Sequence, residues 1–368
     1  VRFLHFADLH LDTPFQWAPP ELARARRQGL RQTLTRICRL AVDHGVAALT
    51  CGGDMYENDR FTPDTAEFLR ATFADLHPLP VFLAPGNHDW YGPRSLYRQV
   101  NWSPNVHVFT TTTLVPVPIA DGLTLWGAGH RAPANTPNFL DGFRVDRSGV
   151  HIAVFHGSEQ RSFALQGEGK VPHAPFRAEQ ITDAGLTHAL LGHFHTPTEA
   201  PTHTYPGNPD PLTFGETGQR GAVLLEVAGD GTISRERFAV ASTEVHDVTV
   251  DLSGVTHSDE VIGRVRDAVA TLHGVARVTL TGEVGPDVDL RLQDIAAAGP
   301  AHLDALLPRL AGVRVGYDVD HLSQEPTVRG QFVRDVLADT TLSDDQRRKV
   351  LITGLRSLDG RRDELEVH

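Results

Sequence analysis

The chain opens on an apolar run, "VRFLHFA" (1–7), and runs of the same kind return at "VAALTC" (46–51) and "PVFLAP" (80–85). Between them lie two stretches whose apolar positions recur with helical spacing, 21–44 and 63–76. Short strands alternating with helices predict an α/β layered fold. Further on, "HVFT", "LVPVPI", "LTLWGAG", "HIAVFHG" and "HALLGHFH" read as short strands punctuated by Pro and Gly. In "GAVLLEVAGDGTISRERFAV" (221–240) a Gly-Asp-Gly turn separates two alternating segments, which predicts an antiparallel hairpin. A first domain is expected over residues 1–240.

From 241 the pattern changes. "EVHDVTVDL", a helix over 258–273, "ARVTLTG", "DVDLRL", a helix over 301–311 and "VRVGYDV" predict a small βαββαβ domain of α+β class over 241–322. The tail, 323–368, reads as two helices. The first carries Phe332, Val333, Val336 and Leu337; the second, capped by Ser343, carries Val350, Leu351, Leu355 and Leu358.

Composition narrows the class. A chain of 368 residues exceeds what one hydrophobic core usually serves, and 40% hydrophobic with 22% charged residues excludes a disordered chain. No apolar run approaches the roughly 18 residues of a membrane span. The opening strand, which lacks signal-peptide features, and two cysteines outside any C-x-x-C spacing, Cys38 and Cys51, predict a reduced cytoplasmic setting with both thiols in the core. A net charge of −12 argues against gripping nucleic acid through a broad basic surface. It leaves a local site open, because two divalent ions would add about four positive charges.

Five polar clusters stand just after apolar runs: Asp8-Leu9-His10, Asp54 after "TCGG", Asn87-His88-Asp89 after "LAPG", His156 after "AVF", and His193-Phe194-His195 after "LLG". In an open α/β sheet, ligands bind beyond the carboxyl ends of the strands, so five separate segments can converge on one cleft. Asp, His and Asn form a mixed oxygen and nitrogen donor set, suited to manganese, iron or zinc rather than to magnesium or calcium alone. Asp8, His10, Asp54, Asn87, His156, His193 and His195 supply enough ligands for two ions sharing one carboxylate, with positions left for water and substrate. Taken singly, each cluster has a plainer explanation: a solvated strand end for Asp8 and His10, a turn residue for Asp54 after two glycines. Chance gives histidines no reason to collect at strand ends together with Asp and Asn.

In this order the five segments, D-x-H, G-D, G-N-H-D, H and G-H-x-H, resemble the motifs of the calcineurin-like metallophosphoesterases. "FLHFADLHLDTPF", "GGD", "YPGNPDPLTFGE" and "GQFVRDVLAD…GLRSLDG" are similar to the SbcD/YhaO (Mre-type) branch of DNA repair nucleases. The resemblance implies a four-layer sandwich of two mixed β-sheets flanked by helices, with a small α+β capping domain and C-terminal helices. It implies two divalent ions, Mn2+ first and Fe2+ or Zn2+ as alternatives. One ion would be held by Asp8, His10, Asp54 and His195, the other by Asp54, Asn87, His156 and His193. They would ionise a shared water for in-line attack on a phosphodiester. His88 and Asp89 would be the catalytic pair, His88 stabilising the transition state and Asp89 orienting it. The implied partners are DNA, an SMC-like ATPase of the SbcC type docked through the C-terminal helices, and a second copy of the chain as homodimer; no membrane is implied.

One departure concerns Glu57, which stands where some family nucleases carry a histidine and other members an acidic residue; pointed into the cleft it would repel a phosphate. His5, inside the first strand, reads as a buried hydrogen-bonded histidine. His130-Arg131 could contact a substrate phosphate, but a solvated loop fits it at least as well. "GEGK" (167–170) lacks the spacing of a phosphate loop. The leading expectation is a DNA exo- or endonuclease. Two others share its motifs: a cyclic-nucleotide or small phosphodiester hydrolase, and a DNA-end-sensing subunit of an ATPase complex. A protein phosphatase fits less well, because "GGDMYEND" lacks G-D-x-x-D-R-G.

Overall fold

The computed structural model describes residues 1–165 and 171–360. "GEGK" lies outside the described residues. The chain divides into two compact units, Val1–Glu244 and Val245–His368.

In the first unit, strands β1 (Arg2–Phe6), β2 (Ala48–Cys51), β3 (Val81–Leu83) and β4 (Val106–Val108) alternate with helices α1 (Pro20–Asp43), α2 (Pro63–Ala74) and the short α3 (Leu96–Gln99). Strands β5 (Val115–Ala120), β6 (Leu123–Gly127), β7 (Val150–His156) and β8 (His188–Gly192) follow, with α4 (Glu179–Asp183) before β8, then β9 (Thr198–Glu199) and β10 (His203–Tyr205). The hairpin β11 (Gly221–Val227) and β12 (Ile233–Ala239) returns to the first group. One sheet runs β12-β11-β1-β2-β3-β4 and the other β5-β6-β7-β8-β10-β9. Both are mixed. The inner pairs β1–β2, β2–β3, β6–β7 and β7–β8 are parallel, while the hairpin pairs are antiparallel. Central strands buried on both faces are mostly apolar, as β7 and β8 are: both are buried along their whole length and apolar apart from their histidines.

The layers follow from which face each side chain takes. Phe3, Phe82 and Val223 from the first sheet pack with Leu125, Ile152, Val154 and Leu190 from the second, so the sheets face one another. On the outer face of the first sheet, α1 buries Ala23, Leu30, Leu34, Ile37 and Ala41, a stripe at helical spacing. On the outer face of the second, α4 and neighbouring segments bring in Phe139, Phe176 and Ile181. The result is the helix, sheet, sheet, helix order of a four-layer sandwich.

The second unit contains β13 (Val245–Asp251), α5 (Ser258–Val269), β14 (Gly274–Thr281), β15 (Glu283–Val284), α6 (Leu292–Ala297), β16 (Leu303–Leu310) and β17 (Arg314–Val315). Helices α7 (Val319–Gln324), α8 (Val328–Ala338) and α9 (Asp344–Leu358) complete it. Two expectations fail here. The stretch 301–311, expected as a helix, is the strand β16, and "DVDLRL", expected as a strand, leads into α6. Pairing decides it, because β16 runs parallel to β14 and supplies the third strand of the sheet β13-β14-β16. Pro308, which would cost about 3 kcal/mol inside a helix, is tolerated on an edge strand. In the tail, Ser343 and Gln346 form a capping box on α9. Val333, Val336, Leu351 and Leu355 pack into a small core of their own, whereas Leu337, Val350 and Leu358 are exposed. No described helix is long and apolar enough to cross a membrane.

Candidate metal centre

The five clusters meet where the carboxyl ends of β1, β2, β3, β7 and β8 face one another. What allows this is a close approach of the two sheets at two glycines. A Cβ on Gly52 would come within 2.8 Å of the backbone of Leu191 and Gly192, and a Cβ on Gly192 would run into the carbonyl oxygen of Gly52. His5 braces the same junction, buried between Thr50 Oγ1 and the Leu191 carbonyl, each at 3.0 Å. The backbone of four cluster residues is bent to suit. Asp8, His10 and Asp54 take positive φ of 56°, 50° and 53°, and His193 takes 116°. Strained φ of this kind costs on the order of 1–3 kcal/mol and collects at functional sites.

Asp54 is the pivot. Its Oδ1 accepts from the His88 N–H at 2.8 Å, while Oδ2 faces His10 Nε2 at 3.7 Å and His156 Nε2 at 3.3 Å. His156 donates from Nδ1 to the Gly52 carbonyl at 2.9 Å, which leaves Nε2 toward Asn87 Oδ1 at 3.0 Å and His193 Nδ1 at 3.2 Å. Both oxygens of Asp8 accept from the His193 N–H, at 3.0 and 3.1 Å, tying the first sheet to the second. Among the described residues, three sets have donor atoms within 4.8 Å of one another: Asp8, His10 and His195; Asp8, Asp54 and His156; and His10, Glu57 and His88.

The electrostatics of this cluster are those of a cation site. Burial, reinforced by Asp54, pushes the Asp8 carboxyl up to about 8. Burial would raise Asp54 too, but His156, His88 and His10 outweigh it and hold that carboxyl well below the usual range. Burial pushes His156 far down and His193 down to about 3, so both are neutral rings with a lone pair to offer. His10 Nε2 is buried with no hydrogen-bond partner. Two carboxylates, an amide oxygen and imidazole nitrogens, those of His156 and His193 on neutral rings, fit divalent cations, and the arrangement forms candidate sites for two.

Around the donors stand residues whose roles differ from the sequence expectation or lie outside it. Glu57 does not point its charge at the cleft unpaired: it accepts from His10 Nδ1 at 2.7 Å and from His88 Nδ1 at 2.9 Å. Burial alone would raise it, yet the two rings bring its carboxyl down to about 2. Burial would lower His88, but Asp54 and Glu57 lift it to about 9. The partner of the His88 ring is therefore Glu57. Asp89, expected to orient that ring, is fully buried and accepts instead from the N–H groups of Asp54, Met55 and Gly86 and from Tyr97 Oη. It shapes the loop that carries His88.

Glu216 is a residue that the motifs do not single out. It accepts from His195 Nδ1 at 2.6 Å, and its other oxygen accepts from Asn208 Nδ2 and the N–H groups of Leu212 and Thr213. The signal available for it in the sequence is a Glu that ends the Pro- and Gly-rich loop "YPGNPDPLTFGE". His130, for which a solvated loop is the plainer expectation and a phosphate contact the other, is instead fully buried and donates from Nε2 to the His156 carbonyl at 2.8 Å.

Comparisons with known proteins agree with this geometry. The family model described as calcineurin-like phosphoesterase matches residues 1–197. An uncharacterized metallophosphoesterase YhaO of Bacillus subtilis is 27% identical over 288 residues, covering 74% of this chain and 68% of that protein. Two DNA double-strand break repair proteins Mre11 also match. The Methanopyrus kandleri protein is 24% identical over 304 residues (72% of this chain, 62% of that protein), and the Haloferax volcanii protein 26% over 400 residues (95% and 81%).

Proposed function

We propose that this chain, which belongs to the calcineurin-like phosphoesterase family, is a DNA exo- or endonuclease that hydrolyses phosphodiester bonds with two divalent ions, Mn2+ foremost. The chemistry class, a metal-dependent phosphoesterase centre, stands on the family and the donor set. What supports DNA as substrate is the reach of the likeness to Mre11. It spans 95% of this chain in the Haloferax volcanii protein, so it continues far past residue 197 and through the second unit.

The assignment is the one the family resemblance implies: Asp8, His10, Asp54 and His195 for one ion, Asp54, Asn87, His156 and His193 for the other; the grouping of Asp8, His10 and His195 supports the first, and Asp54 Oδ2, which faces rings of both sheets, supports the sharing. When bound, such ions polarise the phosphodiester and make a nucleophile of water near neutral pH. The chain supplies the rest. His88, half exposed and held cationic by Glu57 and Asp54, keeps Nε2–H free for the phosphate and then for the leaving oxygen. Glu57 and Glu216 fix the rings of His10 and His195 through Nδ1, which presents Nε2 to the metal side. The same reading assigns α8 and α9 as a docking surface for an SMC-like ATPase through the exposed Leu337, Val350 and Leu358.

The test is cleavage of single- and double-stranded DNA by the pure protein loaded with Mn2+, beside a cyclic nucleotide. Turnover should be greater on DNA. Full metal loading with no DNA cleavage, or preference for the cyclic nucleotide, would overturn the assignment in favour of a small-phosphodiester hydrolase. Co-purification of an ATPase that survives deletion of residues 326–368 would remove the docking role of the tail.

A further inference from the structure

The loop after β6 ends beside the metal centre and carries an arginine for which the catalytic scheme has no use. His130 donates from its backbone to the Pro85 carbonyl at 2.9 Å and from Nε2 to the His156 carbonyl at 2.8 Å, and its own carbonyl accepts from the Tyr91 N–H at 2.8 Å. This stitching holds Arg131 against the segment that follows His88. There Tyr91 is half-buried, and two exposed guanidiniums lie over its ring: Arg131 at 5.6 Å from the centroid and Arg98, from α3, at 5.8 Å. Arg131 spends one N–H on the Thr110 carbonyl at 3.3 Å. Neither arginine pairs with a carboxylate among the described residues.

The local charge is unlike that of the chain. From Trp90 to Ala120 there is no Asp or Glu, while Arg94 and Arg98 both fall in that segment, although the chain as a whole carries −12. An aromatic ring under an arginine holds the guanidinium in place by cation–π attraction and reduces the freedom lost when it binds. A guanidinium so held offers a planar fork of N–H donors that matches a phosphate bidentately. Tyr91 stands three residues from His88, so their Cα atoms are at most about 11 Å apart, about three steps along a nucleic-acid strand.

We infer that Arg98 and Arg131, braced on Tyr91, form a phosphate clamp that grips the backbone of the nucleic-acid strand within a few nucleotides of the bond being cut. The inference rests on the nuclease reading and adds to it a sequence-independent grip. The fit is to phosphates rather than to a base, because the guanidiniums occupy the ring that a base would stack on.

The test is steady-state cleavage of a single-stranded oligonucleotide by the Mn2+-loaded protein at several salt concentrations. In R98Q/R131Q the KM should rise about tenfold or more while kcat holds within about twofold, as expected when uniform binding is removed. The slope of log KM against log salt should fall by about 1.4, about 0.7 for each phosphate no longer neutralised. R98K/R131K should restore most of that slope but only part of the affinity, and R144Q, an exposed arginine in another loop, should change neither. Unchanged KM and slope in R98Q/R131Q, in a protein that still cleaves the oligonucleotide, would overturn the clamp and leave the nuclease reading standing. A wild-type protein that hydrolyses a small bis-aryl phosphate but no oligonucleotide would overturn both. An equal loss in R144Q would reduce the effect to general surface charge and also overturn the clamp.

Discussion

The two sheets of the first unit bring different chemistry to the same cleft. The first contributes Asp8, His10, Asp54 and Asn87, mostly oxygen donors and all of the negative charge; the second contributes His156, His193 and His195, nitrogen donors only. Each half alone is unsatisfactory. On the first, two buried carboxylates oppose each other, and Asp8 is pushed up to about 8 by burial and by its neighbour. On the second, burial leaves the rings of His156 and His193 neutral. Bringing the halves together makes a mixed donor set that cations complete, so the site belongs to the junction between the sheets and to neither sheet.

The strongest way to break this comparison is at the residue both sheets use. Asp54→Asn should lower metal-dependent phosphodiester hydrolysis by about a thousandfold or more, roughly 4 kcal/mol of transition-state stabilisation, measured as kcat/KM at saturating Mn2+. Wild-type activity in that variant would remove Asp54 from the shared position. Next comes the junction itself. Gly192→Ala sets a Cβ against the Gly52 carbonyl, backbone on backbone with no side chain to yield, and should destabilise the fold by about 3 kcal/mol in urea unfolding. A loss below about 0.5 kcal/mol would mean that the sheets need not approach so closely.

Two milder changes sharpen the difference between the halves. Glu216→Gln frees the His195 ring on the second-sheet side and should weaken one of two ions about 10- to 100-fold in titration calorimetry, the other keeping its affinity. Equal weakening of both would show that the two positions are not separable. Glu57→Gln acts on the first-sheet side through His88. Glu57 holds that ring's pKa above its ordinary value, so activity that depends on its proton is present at lower pH and is lost as pH rises through the raised value. Removing Glu57 takes away one of the groups that raise it, and the alkaline limb of the kcat/KM profile should move toward the ordinary histidine value. A limb that stays in place would assign it to another group.

Much of the donor set was legible because of where its members fall. Asp8, His10, Asp54, Asn87, His156, His193 and His195 each stand at the end of an apolar run, and strand ends can be found from residue pattern alone. The helices α1 and α2 were equally visible, since burial at one face of a long helix leaves a regular stripe. The strand β16 was not. Its leucines sit at helical spacing, and only the free edge of β14, a partner distant in sequence, makes them a strand.

The same division runs through the site. By itself the sequence determined which side chains are available, their order and their places at strand ends, because those depend on local periodicity and on residue chemistry. Tertiary structure alone decided who touches whom: that Glu57 rather than Asp89 holds the His88 ring, that Glu216 fixes His195, and that Arg98 and Arg131 share the ring of Tyr91. Glu57 and His88 stand 31 positions apart and His195 and Glu216 stand 21 apart, yet each pair meets within 3 Å. Such pairings depend on how strands and loops pack and leave no period in the chain to read.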